Sequence, residues 1–453
     1  MPIVPGDPVA RIAAWIRRWS AILPLLAAEL IVWLGFGALL PVMPLYFTAH
    51  GVDLATLGVV VAAWPAARLV GEPVFGWLAD RVPRVPLMVA GNVAAGIFLF
   101  LPLVFVGAGP FIILRALAGL STAAYDPAAR GYITDATPAD RRGEAFGLYG
   151  AAQMGGLLLG PAIGGFGSAA FGGVAFIFVF GAISSFVAAA AIALRVREAP
   201  GLQPRTGPSE RYGAIDLTEF PHDPGHLIAR ASSAADEAGI PGERDRAQAG
   251  RFGPVPRSLA NRLLVAAILF TIGGNFAAGT YEVIWSLFLS RLGAGLDLIG
   301  LTFAMFGLPV LVLSPTFGRR ADRGGIVPFL VVGTVLPVVA ALIYTLIRDP
   351  LLALPLILVE ATGFAMFNPV LFSIVAAGSP ADRSSTAQGV FGAAGTLGFV
   401  VASLLAGALA ETDIRLPFYV FAVVMTVFTV AAFAVGGQRL RGRPGNEIEA
   451  RAA

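Results

Sequence analysis

The chain has 453 residues, of which 57% are hydrophobic and only 13% are charged, and its mean hydropathy is +0.79. This composition excludes a soluble enzyme, because the surface of a soluble domain needs far more charge. A membrane-spanning helix needs about 20 apolar residues, so the chain is long enough for about twelve spans joined by short loops. The absence of Cys excludes disulfides and thiolate chemistry, and the 31 basic residues are all Arg.

Apolar segments follow one another along the chain, each bounded by charged residues or by Gly and Pro turns. Six predicted spans lie at about 20–47, 55–78, 86–107, 111–134, 144–166 and 172–194. Six more lie at about 260–290, 298–318, 327–347, 351–377, 385–410 and 416–436. The stretch between the two sets is rich in Arg, acidic residues, Pro and Gly, and we interpret it as a linker in water. The pattern predicts an all-α membrane protein with twelve transmembrane helices.

The Arg residues are distributed unevenly between the predicted loops. They cluster before the first span, after the second and fourth spans, in the linker and in the tail, whereas the opposite loops of the first half carry none. The positive-inside rule therefore predicts that both termini and the linker are cytoplasmic. The sequence pI of about 9.5 follows from this topology, so no nucleic-acid partner is predicted. The predicted organisation is an N-terminal segment at 1–19, bundles at 20–194 and 258–436, a linker at 195–257 and a tail at 437–453.

An internal repeat relates the two halves of the chain. A shift of 242 positions (300 − 58 = 242) aligns Gly58 with Gly300, Pro73 with Pro315, Pro127 with Pro369 and Gly156 with Gly398. The register is unbroken over several predicted helices, which composition alone does not explain. Because six is an even number, the two halves run in parallel topology. The sequence thus predicts two pseudo-symmetric six-helix bundles.

The loops after the second and eighth spans carry the same short motif. Each copy has a Gly followed four residues later by Asp-Arg, and further Gly or Arg residues come after it. At this motif the chain resembles the major facilitator superfamily. The resemblance implies the major facilitator fold and a cytoplasmic latch that holds one state of a transporter; the alternative is a turn with ordinary positive-inside Arg residues. The implied latch residues are Gly76, Asp80, Arg81, Arg84, Gly318, Asp322, Arg323 and Gly325.

The fifth span has Gly residues at regular spacing. Small residues four apart let helix backbones approach closely, and a Pro bends a helix. The spacing resembles the antiporter signature of the drug:proton efflux branches of the superfamily, which implies a helix that seals the outer mouth. The first span also resembles that of the twelve-span drug:proton antiporter group. General Gly-rich packing is the alternative. The motif residues are Gly147, Gly156, Gly160, Pro161, Gly164 and Gly165.

Ionisable side chains inside a membrane are costly and are therefore candidate functional groups. Four carboxylates lie on predicted spans 1, 4, 7 and 10, which line the cavity in the resembled family, and we expect them to share one central polar cavity. Glu29 and Asp126 are the proton-coupling candidates, and Arg115 is expected to tune Asp126, as the resemblance implies. The substrate-cavity candidates are Asn275, Tyr281, Glu282, Trp285, Glu360 and Asn368.

Structural roles remain open for several of these ionisable residues. Arg68 and Glu72 are four residues apart on one helix, and we interpret them as a structural ion pair. Asp126 has the same spacing to Arg130, so a structural pair is its alternative. The acids of spans 1 and 10 have the alternative of a neutral carboxylic acid that is hydrogen-bonded to a neighbouring helix.

These features together predict an inner-membrane secondary transporter that exports small amphipathic or cationic compounds in exchange for protons by alternating access. The alternatives are a proton-coupled transporter of a specific metabolite, such as a sugar or an amino acid, and a membrane scaffold or sensor that transports nothing. We expect no enzymatic activity, no cofactor apart from the proton as coupling ion, and function as a monomer in the lipid bilayer. His222, Asp223 and His226 of the linker are interpreted as solvated loop residues rather than metal ligands.

Overall fold

The computed structural model describes residues 14–79, 81–138, 141–171, 173–198, 261–378 and 384–440. Most of the predicted linker, including His222 and His226, lies outside these ranges. The helices of the first half are α1 (Leu23–Leu39 and Met43–Ala49), α2 (Leu54–Ala79), α3 (Arg84–Phe100), α4 (Ala108–Ala136), α5 (Arg142–Ala170) and α6 (Phe176–Arg195). Those of the second half are α7 (Arg262–Arg291), α8 (Leu296–Gly324), α9 (Val327–Tyr344), α10 (Ala353–Gly378), α11 (Ser384–Thr412) and α12 (Leu416–Gly436).

Eleven of the twelve helices named above have the length and composition of membrane spans. Ten of them are individually long and apolar enough to cross a bilayer, and the two segments of α1 together make an eleventh. The twelfth, α5, has 29 residues, which exceeds the roughly 20 that a span requires. The chain is therefore an integral membrane protein, and the predicted fold class of twelve transmembrane helices is confirmed.

The break in α1 follows from its proline residues. Its two segments are separated by residues 40–42 and are bent by 45° relative to each other. Pro41 lacks the backbone N–H that would continue the helix. Pro44 lies in the first turn of the second segment, where a missing N–H costs nothing because it has no partner within the helix. The bend brings the second segment against α2 and α7.

The helix pairs of the first bundle recur in the second. In the first bundle α1 packs on α5 and α6, α2 packs on α4, and α3 packs on α4 and α6. In the second bundle α7 packs on α11 and α12, α8 packs on α10, and α9 packs on α10 and α12. Each contact between two helices of the first bundle therefore has an equivalent in the second bundle, between the helices whose numbers are higher by six. The repeat that the sequence predicts is thus present in the packing of the helices.

Two crossings of small residues join the bundles, and they too are related by the repeat. At the crossing of α5 with α8, a Cβ placed on Gly300 would lie 2.7 Å from the carbonyl oxygen of Pro161 and 2.8 Å from the Cα of Gly165. At the crossing of α2 with α11, a Cβ placed on Gly407 would lie 2.9 Å from the Cα of Gly58. Only glycine allows backbones to come this close. These residues hold the bundles together at the ends of the helices farther from the linker.

The other ends of α5 and α11 are not packed in this way. A Cβ placed on Gly147 or Gly150 of α5 would have no atom of the described residues within 4 Å, and the same holds for Gly389 and Gly392 of α11. These pairs are again related by the repeat, since 389 − 147 = 242 and 392 − 150 = 242. The bundles are therefore closed against each other at one end, while small-residue faces of α5 and α11 stay unpacked nearer the linker.

Candidate functional site

Glu29 lies in the interior of the first bundle and is fully buried. Its Oε1 accepts hydrogen bonds from Trp33 Nε1 at 2.9 Å and from Gln153 Nε2 at 2.6 Å. Its Oε2 accepts from the hydroxyl of Tyr125. These donors come from α1, α5 and α4, and all three are neutral. Among the described residues no cation forms an ion pair with Glu29, which is unusual for a carboxylate at membrane depth.

Asp126, the neighbour of Tyr125 on α4, has a cationic partner. It is 4% exposed and forms an ion pair with Arg68 of α2. Arg68 also binds Glu72 at 2.6 Å, so the structural pair expected from the sequence is present but is part of a larger cluster. The distance from Asp126 to Arg130 is 4.0 Å, which leaves Arg68 as the main partner. Sequence spacing did not predict this contact, because the two residues lie on different helices.

Arg115 joins the two bundles. Its Nη2 donates to Oε1 of Glu282 on α7 at 3.2 Å, and both side chains are largely buried. The sequence led us to expect that Arg115 tunes Asp126, but the structure gives Arg115 a partner in the other bundle and gives Asp126 a separate arginine. The reason is geometric: residues eleven apart on one helix share a face without touching.

Glu360 is enclosed by aromatic side chains in the second bundle. It is 2% exposed, and its Oε2 accepts from the hydroxyl of Tyr344 at 2.9 Å. Its Oε1 and the hydroxyl of Tyr281 are both buried without a hydrogen-bond partner among the described residues. The ring of Trp285 lies 4.8 Å from that of Tyr344. Like Glu29, Glu360 has a tyrosine hydroxyl on Oε2 and no ion pair in the described part of the chain.

The structure gives the four carboxylates different surroundings, and Asp126 lines a cavity of the first bundle together with Arg115 and Tyr125. Glu29 and Asp126 lie inside the first bundle, Glu282 lies where the bundles meet, and Glu360 lies inside the second bundle. Each acid has a hydrogen-bond or ion-pair partner on a neighbouring helix, because burial of a polar group without a partner is costly. The acids therefore form distinct sites, two with a buried arginine and two without.

Two other cavity candidates stand apart from these clusters. Asn275 donates to the hydroxyl and to the backbone carbonyl of Thr271 on its own helix, both at 3.0 Å. Asn368 is exposed. It occupies the position that the repeat relates to Asp126, since 368 − 126 = 242. The structure thus brings neither amide to the buried carboxylates.

The residues of the implied latch are described only in part. Asp80 lies outside the described residues, as do the side chains of Asp322 and Arg323. Arg84 is 8% exposed and forms an ion pair with Asp135 of α4 at 2.9 Å. Arg81 donates to the carbonyl of Trp77, one turn earlier, at 3.0 Å. Of the implied glycines, Gly76 and Gly318 face Pro127 and Pro369, and Gly325 ends α8 with φ of 95°.

The glycine motif of α5 faces two different helices. A Cβ on Gly160 would lie 2.7 Å from the Cα of Gly37, and one on Gly156 would lie 2.7 Å from the carbonyl oxygen of Leu30, both on α1. Gly164 packs on α1 in the same way. Gly165 and the carbonyl oxygen of Pro161 instead face α8 across the bundle interface, while the ring of Pro161 lies against Gly37 of α1. The motif therefore serves both the interior of the first bundle and its contact with the second.

A cavity in the first bundle involves side chains that the sequence did not single out. Its lining residues come from α1, α2, α3, α4 and α6. The ring centroids of Trp33 and Phe36 are 5.4 Å apart, and those of Phe36 and Trp64 are 4.9 Å apart. Asn92 and Arg115 contribute polar groups to the wall. Trp33 and Phe36 are three residues apart on α1, and this spacing puts both rings on one helix face. The spacing could have predicted from the sequence that both rings face the same cavity.

Two repeated bundles of membrane helices, joined by small-residue crossings and carrying buried ionisable groups, define a polytopic membrane carrier. The model of the Major Facilitator Superfamily matches residues 25–281 and, a second time, residues 263–452. The chain therefore belongs to the major facilitator superfamily and is a membrane transporter. The second match covers the second half of the repeat, and the first match begins in the first half and extends into α7.

Several known proteins are similar to this chain. The quinolone resistance protein NorA of Staphylococcus aureus is 29% identical over 136 residues, which are 30% of this chain and 35% of that protein. Multidrug resistance protein 2 of Bacillus subtilis is 31% identical over 185 residues, which are 40% of this chain and 45% of that protein. These matches confirm the resemblance to the drug:proton antiporter group, although they span less than half of each relative.

Solved structures match over nearly the whole chain. A bacterial homolog of the human lysosomal transporter Spinster, in an inward-facing and occupied conformation, has a TM-score of 0.70 at 12% identity and covers 95% of this chain and 98% of that one. A D-xylose-proton symporter has a TM-score of 0.65 at 16% identity and covers 92% of this chain and 97% of that one. At such identities the likeness shows the fold alone.

Proposed function

We propose that this transporter exports small amphipathic or cationic compounds in exchange for protons. The observation that carries the proposal is the environment of Glu29, which is fully buried and bound by three neutral donors. A buried carboxylate without a cation is costly, so a bound proton relieves that cost. An acid in this position is suited to load and release a proton as the protein changes state.

The hydrogen bonds at Glu29 suggest how a proton is accommodated. A carboxylate accepts only, whereas a carboxylic acid also donates, and a tyrosine hydroxyl can do either. When Oε2 of Glu29 takes a proton, the hydroxyl of Tyr125 turns from donor to acceptor and the contact is kept. Trp33 and Gln153 continue to donate to Oε1. Asp126 is proposed as the second proton-coupling residue, with Arg68 as the cation released when Asp126 is neutral.

Alternating access is supported by the contrast between the two ends of the bundles. The crossings of α2 with α11 and of α5 with α8 close one end, while glycine faces of α5 and α11 are unpacked at the other. Bundles related by a parallel repeat exchange such states by rocking about their interface. With the termini and linker in the cytoplasm, as the Arg distribution favours, the closed end is the outer one and the structure is open inward.

The relatives support export over uptake. One matched protein is named for quinolone resistance and another for multidrug resistance. The antiporter signature on α5 points the same way, since its fixed positions are filled. We accordingly propose the plasma membrane as the location, the proton as the coupling ion and the monomer as the working unit.

The test is transport by the purified chain in lipid vesicles with an imposed pH gradient, using ethidium as a lipophilic cation. We expect gradient-driven ethidium movement in the parent, and its loss in Glu29→Gln and Asp126→Asn. Glu144→Gln is the control, because Glu144 pairs with Arg18 at 2.8 Å where both side chains are over two-fifths exposed, at 46% and 43%. Full gradient-driven transport by Glu29→Gln and Asp126→Asn would refute the assignment of the proton sites.

A further inference from the structure

The cavity of the first bundle is too small for a transported compound but large enough for water. Its volume is about 40 Å³, whereas a drug-sized ligand occupies a pocket of about 300 Å³ or more. One water molecule needs about 10–15 Å³ of such space, so there is room for about three. Water stays in a buried cavity only where polar groups of the wall bind it. The polar atoms of the wall therefore decide what the cavity holds.

Two deeply buried polar groups of the wall lack hydrogen-bond partners. Asn92 is 2% exposed, and its Nδ2 donates to the carbonyl of Met88 at 3.3 Å. Its Oδ1 accepts no hydrogen bond from the described residues, and the hydroxyl of Ser185, which is 4% exposed, has no partner among them either. Buried polar atoms are nearly always bound by protein or by ordered water. Both residues line the cavity, so water there supplies the partners that they need.

The cavity also borders the proposed proton sites. Asp126 lines it, and the ion pair with Arg68 uses Oδ2 of Asp126. Oδ1 of Asp126 accepts no hydrogen bond within the described part of the chain. Tyr125 lines the cavity as well, and its hydroxyl donates to Oε2 of Glu29. Water in this space therefore touches one proposed proton site and a residue that is bound to the other.

The polar wall is particular to the first bundle. The repeat relates five of its polar residues to apolar residues of the second bundle. Arg68, Arg115, Thr122, Tyr125 and Ser185 correspond to Val310, Ile357, Phe364, Phe367 and Val427. The same helix pairs form in both bundles, so the fold does not require polar groups at these positions. Their presence supports a role in transport.

We infer that this cavity binds a cluster of about three water molecules, which connects Asp126 to Tyr125 and, through the hydroxyl of Tyr125, to Glu29. The cluster is a path for a proton between the two carboxyl groups. The inference rests on the proposed function, in which both acids bind protons, and adds how a proton passes between them. Oδ1 of Asp126 is one end of the path, and Asn92 and Ser185 hold the waters.

The transfer conserves every atom. A proton leaves protonated Asp126 for the nearest water, and each water passes one of its own protons to the next. The last water gives a proton to the hydroxyl oxygen of Tyr125, whose own hydrogen passes to Oε2 of Glu29. The waters and Tyr125 end with as many hydrogens as they had before. The net change is one proton moved from Asp126 to Glu29, and the ionised Asp126 is then held by Arg68.

The test is infrared difference spectroscopy of the purified full chain in lipid, between neutral and acidic pH. Spectra are recorded in ordinary water and in water that carries the heavy oxygen isotope, which lowers the O–H stretching frequency of water and leaves protein bands in place. We expect isotope-shifted bands in the parent, because protonation of the acids changes the hydrogen bonds of the waters that touch them. A parent spectrum without any isotope-shifted band would overturn the inference.

Two variants of Thr122 assign the bands to this cavity. Thr122→Phe adds the ring that the second bundle carries at position 364, where Phe364 is 7% exposed, and we expect the isotope-shifted bands to be lost. Thr122→Val is the matched control, because it keeps the volume of the side chain and the hydroxyl of Thr122 already donates to the carbonyl of Gly119 at 2.9 Å. We expect this variant to keep the bands. Thermal unfolding checks both proteins, and unchanged bands in a folded Thr122→Phe would overturn the inference.

Ser185 provides a second comparison if Thr122→Phe does not fold. Ser185→Val introduces the residue of position 427 and removes the hydroxyl from the wall. Ser185→Thr is its match in volume and keeps the hydroxyl. We expect at least one isotope-shifted band to shift or disappear in Ser185→Val and all of them to remain in Ser185→Thr. Identical spectra of these two variants would overturn the placement of the waters.

Transport in vesicles tests the path itself. We expect Thr122→Phe to move ethidium under a pH gradient at least about tenfold more slowly than Thr122→Val, because a proton relay is interrupted. Transport at the parent rate by a Thr122→Phe variant that has lost the bands would overturn the proton path.

Failure of this inference can be told apart from failure of the proposed function. If the parent moves ethidium under a pH gradient but shows no isotope-shifted band, the water site is wrong and the function stands. If the bands appear in the parent and vanish in Thr122→Phe, but the gradient moves no ethidium, proton-coupled export is wrong and the water site stands.

Discussion

The two bundles share their backbone crossings but not their chemistry. In the first bundle, a Cβ on Gly160 of α5 would lie 2.7 Å from Gly37 of α1. In the second, a Cβ on Gly279 of α7 would lie 2.9 Å from the Cβ of Ala402 on α11. These pairs are related by the repeat, since 279 − 37 and 402 − 160 are both 242. Small residues at the crossings are thus what the shared fold requires.

The charged cluster of the first bundle has no counterpart at the related positions of the second. Glu29, Arg68, Arg115, Tyr125 and Asp126 correspond to Thr271, Val310, Ile357, Phe367 and Asn368. The second bundle forms the same helix pairs without these charges. The difference teaches that the cluster is not needed to build a bundle of this kind, and this supports a role in transport. Moving second-bundle residues into the first tests that reading.

The largest effect is expected from Arg68→Val, which introduces the residue of position 310. Asp126 would then be buried without its main cation, and breaking a buried ion pair in this way costs about 3–5 kcal/mol. Scanning fluorimetry in detergent should show a large fall in the unfolding midpoint. Arg68→Val combined with Asp126→Asn completes the transplant and should recover most of the stability. No recovery in the double variant would mean that Arg68 stabilises the bundle by packing alone.

A smaller loss is expected when a crossing between the bundles is overpacked. A Cβ on Gly165 would lie 2.6 Å from the carbonyl oxygen of Leu296, so Gly165→Leu should destabilise the closed end by about 1–3 kcal/mol. This predicts a 10- to 100-fold lower transport rate in vesicles. Gly407→Leu, at the crossing related by the repeat, should behave alike. Gly173→Leu is the control, because a Cβ on Gly173 would have no atom of the described part of the chain within 4 Å.

Unequal transport rates for Gly165→Leu and Gly407→Leu would contradict the equivalence of the two crossings. If Gly165→Leu stopped transport while Gly407→Leu left it at the parent rate, the two interfaces would have different roles in spite of their equivalent geometry.

A loss of about tenfold in transport is expected from Tyr125→Phe, which introduces the residue of position 367. The change removes one hydrogen bond to Glu29 while keeping the ring, and such a bond to a charged group contributes about 1.5–3 kcal/mol. Gradient-driven transport in vesicles is the readout. Tyr132→Phe is the comparison on the same helix, since the hydroxyl of Tyr132 donates to the carbonyl of Ala21 at 3.2 Å and not to Glu29. An equal loss in both variants would argue against a specific role for Tyr125.

The smallest effect concerns the start of α2, where Asp53 corresponds to Gly295 at the start of α8. The backbone N–H and the hydroxyl of Thr56 both bind Asp53, and they hold the pKa of Asp53 below its usual value of 3.8. The stabilising contacts are therefore complete above this pH and are lost as the pH falls below it. Asp53→Gly should cost a few tenths of a kcal/mol near neutral pH.

Thermal unfolding as a function of pH checks this small effect. The difference in unfolding midpoint between the parent and Asp53→Gly should decrease as the pH is lowered through the acid range. A gap that stays constant at low pH would show that the carboxylate charge is not involved.

The fold followed from the sequence because its signals are local or periodic. Runs of apolar residues predict the spans, and the shift of 242 positions predicts the equivalent packing of glycines such as Gly58 and Gly300. The positions of the small residues thus carried information about contacts between helices. Their partners, Gly407 and Gly165, are themselves related by the same shift.

The clusters around the acids were less predictable, because their contacts join helices that are far apart in sequence. Spacing of four residues found Glu72 as a partner of Arg68 but not Asp126, which is 58 residues away. Arg115 and Glu282 are 167 residues apart. The donors to Glu29 also lie on three helices. Without the relative rotation of the helices, a sequence cannot tell whether buried acids face one cavity or separate sites.

The most direct test of the account is infrared difference spectroscopy of the parent and of Glu29→Gln, titrated with pH in lipid. The carbonyl stretch of a protonated carboxylic acid is separate from that of an ionised one. We predict that the parent shows a protonated-acid band that grows as the pH falls, and that part of this band is missing from Glu29→Gln. An identical titration in both proteins would contradict the claim that Glu29 carries the proton.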